Sequence, residues 1–191
     1  MNLFNPPLTE QQKFEYRKYE NINNILKPYC IWVDFYDYIW GYNNINWKNK
    51  TVLDIGAEIG SSALFFLLNG AKFVYMLEKE EEYKKTHVKI KSLYTILENS
   101  VMLNSINEMP DKIDVLKMDC EGCELYYLNE QLLNKTLEFI IGLHKPPLDN
   151  YQFEEKKNLL EKYGGKYFGN VNNEEFLWIK CKKIAGDNED V

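Results

Sequence analysis

The stretch from Thr51 to Glu78 constrains the fold more than any other part of this sequence. Thr51–Ile55 is a short, mainly apolar run without polar alternation, which is typical of a strand buried on both faces of a sheet. Ser61–Leu68 is apolar almost all round and predicts a buried helix, and Phe73–Leu77 predicts a second buried strand. Gly70 lies where the end of that helix favours a residue with positive φ. The stretch therefore predicts a right-handed βαβ unit.

Two glycines, Gly56 and Gly60, bracket the turn between the first strand and the helix. Such glycines allow a ligand to approach the backbone, and the N–H groups at the start of the helix favour an anionic or polar ligand group. Glu78 closes the second strand, where a carboxylate can accept from both hydroxyls of a ribose. The spacing from Asp54 to Glu78 favours a nucleoside ligand. An NAD-dependent dehydrogenase is a weaker alternative, because the middle glycine that admits a pyrophosphate is missing.

Two motifs, in the expected order, carry a resemblance to a known family. D-I-G-A-E-I-G at residues 54–60, with a glutamate closing the next strand, resembles the first motifs of class I S-adenosylmethionine-dependent methyltransferases. K-M-D-C-E-G-C-E at residues 117–124 resembles the K-I-D-x-E-G-x-E signature of their FkbM-like branch. The resemblance spans roughly residues 47–182. It implies an α/β, Rossmann-like fold with a mostly parallel sheet of about seven strands, helices on both faces and an antiparallel last strand.

The resemblance also implies a cofactor and a set of site residues. The candidate ligands of S-adenosylmethionine, the expected cofactor, are Asp54, Gly56, Glu58, Gly60 and Glu78. The candidates for holding and deprotonating the methyl acceptor are Asp119, Glu121, His144 and, as support, Lys117. His144 follows a predicted buried strand and is a candidate general base; a hydrogen-bonded structural histidine is the alternative. Acids gathered at one sheet edge would favour a cationic sulfonium over its neutral product.

Two hypotheses of different classes follow for the activity. We expect transfer of a methyl group to a hydroxyl oxygen of a small molecule or glycan, because no N/D-P-P-Y/F motif follows the fourth predicted strand. The competing hypothesis is a degenerate module that binds a nucleoside or a partner without turnover. Glu58 favours that module, because the family usually has a neutral residue there and a carboxylate would repel the cofactor's own carboxylate. The short segment between Glu78 and Asp114 favours it too, because the acid expected near the adenine cannot be identified there.

Composition excludes several classes of protein. The 191 residues are enough for one domain with a core, and a hydrophobic share of 45% is typical of a globular chain. The net charge is −6 and Arg17 is the single arginine, so duplex DNA is not an expected partner. No apolar run has the length of a membrane span, and the N-terminal residues lack a signal pattern. We therefore expect a cytoplasmic protein without a membrane partner; the sequence leaves the oligomeric state open.

The four cysteines, Cys30, Cys120, Cys123 and Cys181, include one C-x-x-C pair. Such a pair can indicate redox chemistry or half of a zinc site. No second pair and no histidine at ligand spacing accompanies it. We therefore expect the pair to occupy small packed positions, and we expect no bound metal.

Outside the two motifs, the pattern divides the single domain into an N-terminal extension (1–46), a core (47–182) and an acidic tail (183–191). The extension contains a predicted helix, Thr9–Leu26, and an aromatic block, Tyr29–Trp47, which is either a stacking platform or a cover for the sheet edge. The segments predicted in the core are a helix soon after Glu78 and strands near Val101–Leu103, Ile113–Met118, Leu137–Leu143 and Glu175–Lys182, with a helix over Asn150–Tyr163. His87 is expected to be a surface or hydrogen-bonded histidine.

Overall fold

The computed structural model of the chain describes residues 41–93, 95–170 and 175–181. The predictions for the helix Thr9–Leu26, for residues 29–40 of the aromatic block and for the acidic tail lie outside these residues. The division into extension, core and tail therefore stays a prediction.

One sheet of seven strands organises the described residues, in the order β3-β2-β1-β4-β5-β7-β6. Strands β1 to β5 pair in parallel, whereas β7 is antiparallel to both β5 and β6. The predicted fold class, with its antiparallel last strand, is confirmed. The strands are β1 (Thr51–Ile55), β2 (Phe73–Leu77), β3 (Ser100–Leu103), β4 (Ile113–Met118), β5 (Thr136–His144), β6 (Lys166–Asn170) and β7 (Glu175–Lys180).

Helices connect the parallel strands. They are α1 (Ser61–Leu68), α2 (Glu81–Leu93), α3 (Glu124–Tyr127), α4 (Glu130–Asn134) and α5 (Asn150–Lys162). Helix α5 begins at a capping box, in which Asp149 and Gln152 each accept from the other's backbone N–H. Gly70 and Gly164 follow α1 and α5 with φ of +91° and +85°, the left-handed conformation that ends many helices. No helix among the described residues is both long and apolar enough to cross a membrane.

Each face of the sheet is covered by its own apolar cluster. Val52 of β1 packs in the cluster that contains α1, whereas the next residue, Leu53, packs in the opposite cluster with Leu116 of β4. Alternate residues of a strand point to opposite faces, so the absence of polar alternation in β1 follows directly from burial on both sides.

The two described members of the aromatic block belong to the first cluster. Tyr42 and Trp47 are buried, and the Trp47 ring stacks on Phe66 of α1 with a centroid distance of 4.2 Å. For these two residues the structure favours the alternative in which the rings cover the sheet.

The short helix after β4 is buried on one side only. Helix α3 is a single turn, and its first residue, Glu124, shares the buried face with Leu128, which follows the helix four residues later. Tyr126 falls on the opposite side and is 75% exposed.

Candidate active site

The carboxyl ends of the central strands bring the predicted site residues to one edge of the sheet. Strand β1 lies between β2 and β4, with Ile55 opposite both Leu77 and Met118. Backbone pairing continues past the strands, because the N–H of Asp119 donates to Ile55 O at 3.1 Å. The next residues along β2 and β4 are therefore Glu78 and Asp119, on either side of the turn that follows β1. This is the edge at which open parallel sheets bind their ligands.

A buried ion pair lies beneath that turn. Asp54 is fully buried, and its Oδ1 lies 3.0 Å from Lys117 Nζ, while Ser62 Oγ donates to Oδ2. Lys117 also donates to Gly56 O at 2.8 Å. Burial alone would lower the pKa of Lys117, but the adjacent Asp54 and Asp119 carboxylates raise it above its ordinary value. Asp54 and Lys117 therefore support the glycine turn as an ion pair without net charge.

Both glycines of the turn are tightly packed against other parts of the protein. Gly56 and Gly60 have φ of +77° and +91°. A Cβ at Gly56 would collide with the carbonyl oxygen of Asp119, and one at Gly60 would lie 2.6 Å from Nδ1 of His87. Contacts within the protein therefore already require glycine at both positions, and the close approach of a ligand, which the sequence analysis expects, stays a prediction.

Glu78 holds the turn through backbone amides. Its Oε2 accepts from the N–H of Glu58 at 2.9 Å, and its Oε1 accepts from Lys79 and Glu80 at 2.7 and 2.9 Å. An ionised carboxylate has about four lone-pair sites, so one acceptor position remains beside the turn. That position suits a ribose hydroxyl.

Glu58 stands on the exposed side of the turn. It has φ of +49°, which is uncommon for a residue with a side chain. Partial burial raises the pKa of its carboxyl, and Asp119, Glu78 and Asp54 add to that rise against the opposing charge of Lys117. The site is therefore crowded with negative charge at the point where the sequence analysis noted a departure from the family pattern.

A histidine joins two carboxylates on the other side of the turn. His144, at the end of β5, donates through Nδ1 to Glu124 Oε1, and its Nε2 lies 3.4 Å from Asp119 Oδ1. Burial would lower the pKa of His144, but the two carboxylates raise it to about 10. The ring is thus an imidazolium at neutral pH and cannot accept a proton. Of the two roles weighed for His144, the geometry favours the structural one over the general base.

Glu121 is the exposed member of the predicted acceptor site. It lies between Asp119 and Gly122 with φ of +49°, and among residues 41–93, 95–170 and 175–181 no hydrogen-bond or ion-pair partner is found for its carboxylate. It stands in a short loop that a Cys120–Cys123 disulfide closes, with the two Cα atoms 5.5 Å apart. Both cysteines pack against the core, as predicted, whereas the disulfide between them was not predicted. The described part of the chain contains no group of three or more residues that could hold a metal ion.

The sequence analysis missed two acids at this edge. Glu124 is fully buried and was not among the candidate site residues; its place as the last residue of K-M-D-C-E-G-C-E is the signal that could have identified it. Strand β3 ends at Leu103 without an acid, but Glu108 accepts from the N–H of Asn104 at 3.1 Å. No local pattern singles out Glu108.

His87 lies behind the glycine turn. It is buried, and its Nδ1 is 2.9 Å from Ile59 O, which agrees with the expected hydrogen-bonded histidine. Burial lowers the pKa of His87, so this ring is neutral and holds the turn through one nitrogen.

Fold and site together define a protein with the class I S-adenosylmethionine-dependent methyltransferase fold. Among solved structures, a Klebsiella pneumoniae protein described as an O-methyltransferase superposes with a TM-score of 0.57 at 13% identity, over 91% of this chain and 90% of that one. Aeropyrum pernix fibrillarin, whose crystal contains natively bound S-adenosyl-L-methionine, superposes with a TM-score of 0.54 at 11% identity, over 71% of this chain and 67% of that one. At these identities the likeness shows the fold alone.

Sequence comparison relates the chain to two proteins of Sulfolobus viruses. It belongs to the family of Uncharacterized protein 65 of Sulfolobus islandicus filamentous virus (isolate Iceland/Hveragerdi), with 31% identity over 76% of this chain and 88% of that protein. Uncharacterized protein 158B of Sulfolobus islandicus rod-shaped virus 1 is 35% identical over 80% of this chain and 92% of its own length. Protein arginine N-methyltransferase 6 of Danio rerio is 28% identical over 60% of this chain and 29% of its length. No family model matches, so the FkbM-like assignment is not confirmed.

Proposed function

We propose that this chain is an S-adenosylmethionine-dependent methyltransferase of the FkbM-like type that acts on a hydroxyl oxygen of a small molecule or glycan. The observation that carries the proposal is the convergence of Glu78, Asp119 and Glu121 on the carboxyl edge of a sheet with this strand order. The residues fit the cofactor, because Glu78 keeps an acceptor position for a ribose hydroxyl and exposed carboxylates suit a cationic centre. When bound, the cofactor supplies a methyl group from its sulfonium, whose C–S bond breaks with the electron pair left on sulfur.

The protein's own part in such a reaction is to bind, orient and hold a proton. Glu78 and the turn after β1 would hold the nucleoside, with Asp54 and Lys117 fixing the turn from below. Asp119 and Glu121 would hold the acceptor, whose hydroxyl must lose its proton as the oxygen is methylated.

Isothermal titration of the purified chain with S-adenosylmethionine and S-adenosylhomocysteine tests the proposal. We expect both to bind and NAD not to bind, with Glu78→Ala abolishing binding. Glu80→Ala is the matched control, because Glu80 is an exposed glutamate two residues after Glu78 and its substitution is expected to leave the wild-type affinity unchanged. The absence of binding of either nucleoside at high micromolar concentration would overturn the proposal.

A degenerate module remains the second candidate. The observation that supports it is the position of Glu58, whose carboxyl lies near three other acids at the turn after β1 and would repel the carboxylate of the cofactor. A panel of hydroxylated acceptors, with an arginine peptide included because of the arginine methyltransferase relative, separates the two candidates. Cofactor binding with labelled methyl transferred to a hydroxyl acceptor supports the enzyme, and binding without transfer to any acceptor supports the module.

A further inference from the structure

Three side chains form a continuous polar chain from the core to the surface of the site. The exposed fraction of the side chain rises from 0% at Glu124 through 10% at His144 to 33% at Asp119. Glu124 is anchored at its other oxygen, because Oε2 accepts from the N–H of Gly122 at 2.7 Å. The buried end of this chain is therefore fixed, and its outer end is the one that can reach an acceptor.

We infer that Glu124 and His144 are positioning residues that fix the carboxylate of Asp119, and that Asp119 is the catalytic group that takes the acceptor's hydroxyl proton. The inference rests on the proposed function and deepens it. It assigns a role to Glu124, which the sequence did not suggest, and it moves the base from His144 to Asp119.

The geometry favours Asp119 over His144 as the proton acceptor. Both ring nitrogens of His144 face carboxylate oxygens, one from Glu124 and one from Asp119. Carboxylates only accept hydrogen bonds when they are ionised, so both nitrogens act as donors and the ring has no lone pair for an incoming proton. Asp119, by contrast, has a second oxygen and is partly exposed.

The charges around Asp119 keep it ionised. Burial would raise the pKa of Asp119, but the hydrogen bond from His144 and the charge of Lys117 lower it below the ordinary value. Glu58 also faces Asp119 across the turn, and Glu124 faces His144 from α3. Four acids, Asp54, Glu58, Asp119 and Glu124, thus surround the two cations Lys117 and His144. Among the acids paired with His144, Asp119 is the one whose carboxylate is partly exposed and can accept a proton.

A weakly basic carboxylate is sufficient for this step. As the new C–O bond forms, the O–H bond of the acceptor breaks, its electron pair stays on oxygen, and the proton passes to Asp119 and then to water. An alcohol that is gaining a methyl group becomes an oxonium, which is far more acidic than a carboxylic acid. What the reaction requires of Asp119 is therefore correct placement rather than high basicity.

The loops that carry the three residues are packed against each other. A Cβ at Gly122, which has φ of +118°, would collide with Pro147 of the loop that follows β5. His144 is the last residue of β5, directly before that loop, and Glu124 is the first residue of α3, directly after the loop that contains Gly122. The close contact at Gly122 therefore supports the alignment of Glu124 with His144.

Histidine NMR tests the positioning pair without any assay of activity. The chain has only two histidines, so ¹⁵N-labelled rings give two resolvable titrations. We expect His144 to stay doubly protonated through neutral pH. Glu124→Gln should increase the acid dissociation constant of the His144 ring by at least about tenfold, because one carboxylate partner is lost. Asp119→Asn should act in the same direction, and it serves as the second variant if Glu124→Gln does not fold.

Glu130→Gln is the matched control, because Glu130 is an exposed glutamate of α4 paired with Lys162 and should leave the His144 titration unchanged. With an acceptor in hand, Glu124→Gln should lower kcat at least about tenfold with unchanged cofactor affinity. The positioning role of Glu124 and His144 would be overturned if His144 of the wild type titrated near pH 6.5. It would also be overturned if Glu124→Gln left the titration of His144 unchanged. Failure of cofactor binding in the titration above would instead overturn the proposed function and, with it, the catalytic role of Asp119.

Discussion

At the scale of single residues, charge pairing decides which acids can meet a ligand. Asp54 and Glu124 are fully buried and paired with Lys117 and His144. Glu121 is exposed and Asp119 partly so. The acids along this sheet edge therefore form two groups: buried, paired acids that support the site, and exposed acids that can contact a ligand. The spacing of the acids in the sequence does not distinguish the two groups.

Lys117→Met should destabilise the protein by about 3–5 kcal/mol, because it leaves Asp54 as an unpaired buried charge. Chemical denaturation of the folded variant measures this change in the free energy of unfolding. Lys85→Met is the control, because Lys85 pairs with Glu82 on the surface of α2 and should give no measurable change. Equal effects of the two substitutions would contradict the role given to Lys117.

The stability contributed by His144 should depend on pH in a defined window. Its pKa rises from 6.5 to about 10 on folding, so the contribution is fully present below pH 6.5 and is lost as the pH rises through about 10. Free energies of unfolding measured from pH 6 to 10 should fall more steeply for the wild type than for His144→Gln. Parallel curves would show that folding does not raise the pKa of His144.

At the scale of elements, the loops at the ends of β1 and β4 form one packed unit. Local patterns predict β1, α1, β2 and β4 at their observed bounds, because burial on both faces leaves a mainly apolar run in each strand. The contact between Asp119 and Gly56 joins residues far apart in the chain, and no local pattern encodes it.

Gly56→Ala should destabilise the protein by about 2–4 kcal/mol, because it combines a positive φ with a collision against Asp119. Thermal or chemical unfolding measures the loss. Gly169→Ala is the control, because apart from its chain neighbours nothing lies within 4 Å of a Cβ at this half-buried position of β6, and we expect a change within about 0.5 kcal/mol. A Gly56→Ala protein as stable as the control would show that the two loops do not pack closely.

At the scale of the whole molecule, the strand order could be predicted only through the family resemblance, since hydrophobic patterns show which segments are strands but not which ones are neighbours. The same limit explains the site. Glu78 and Asp119 could be identified because each follows a buried strand. The contacts that link the side chains of Glu124, His144 and Asp119, by contrast, depend on β5 lying beside β4. The fold was therefore more accessible from sequence than the roles of individual acids.

The central claim is that the carboxyl edge of this sheet binds a nucleoside through Glu78. A crystal structure of the chain grown with S-adenosylhomocysteine tests it most directly. The account predicts the ligand beside the turn after β1, with a ribose hydroxyl about 2.7–2.8 Å from the Glu78 carboxylate and the sulfur facing Asp119. A ligand bound elsewhere, or a Glu78 carboxylate out of hydrogen-bond reach of the ribose, would contradict it.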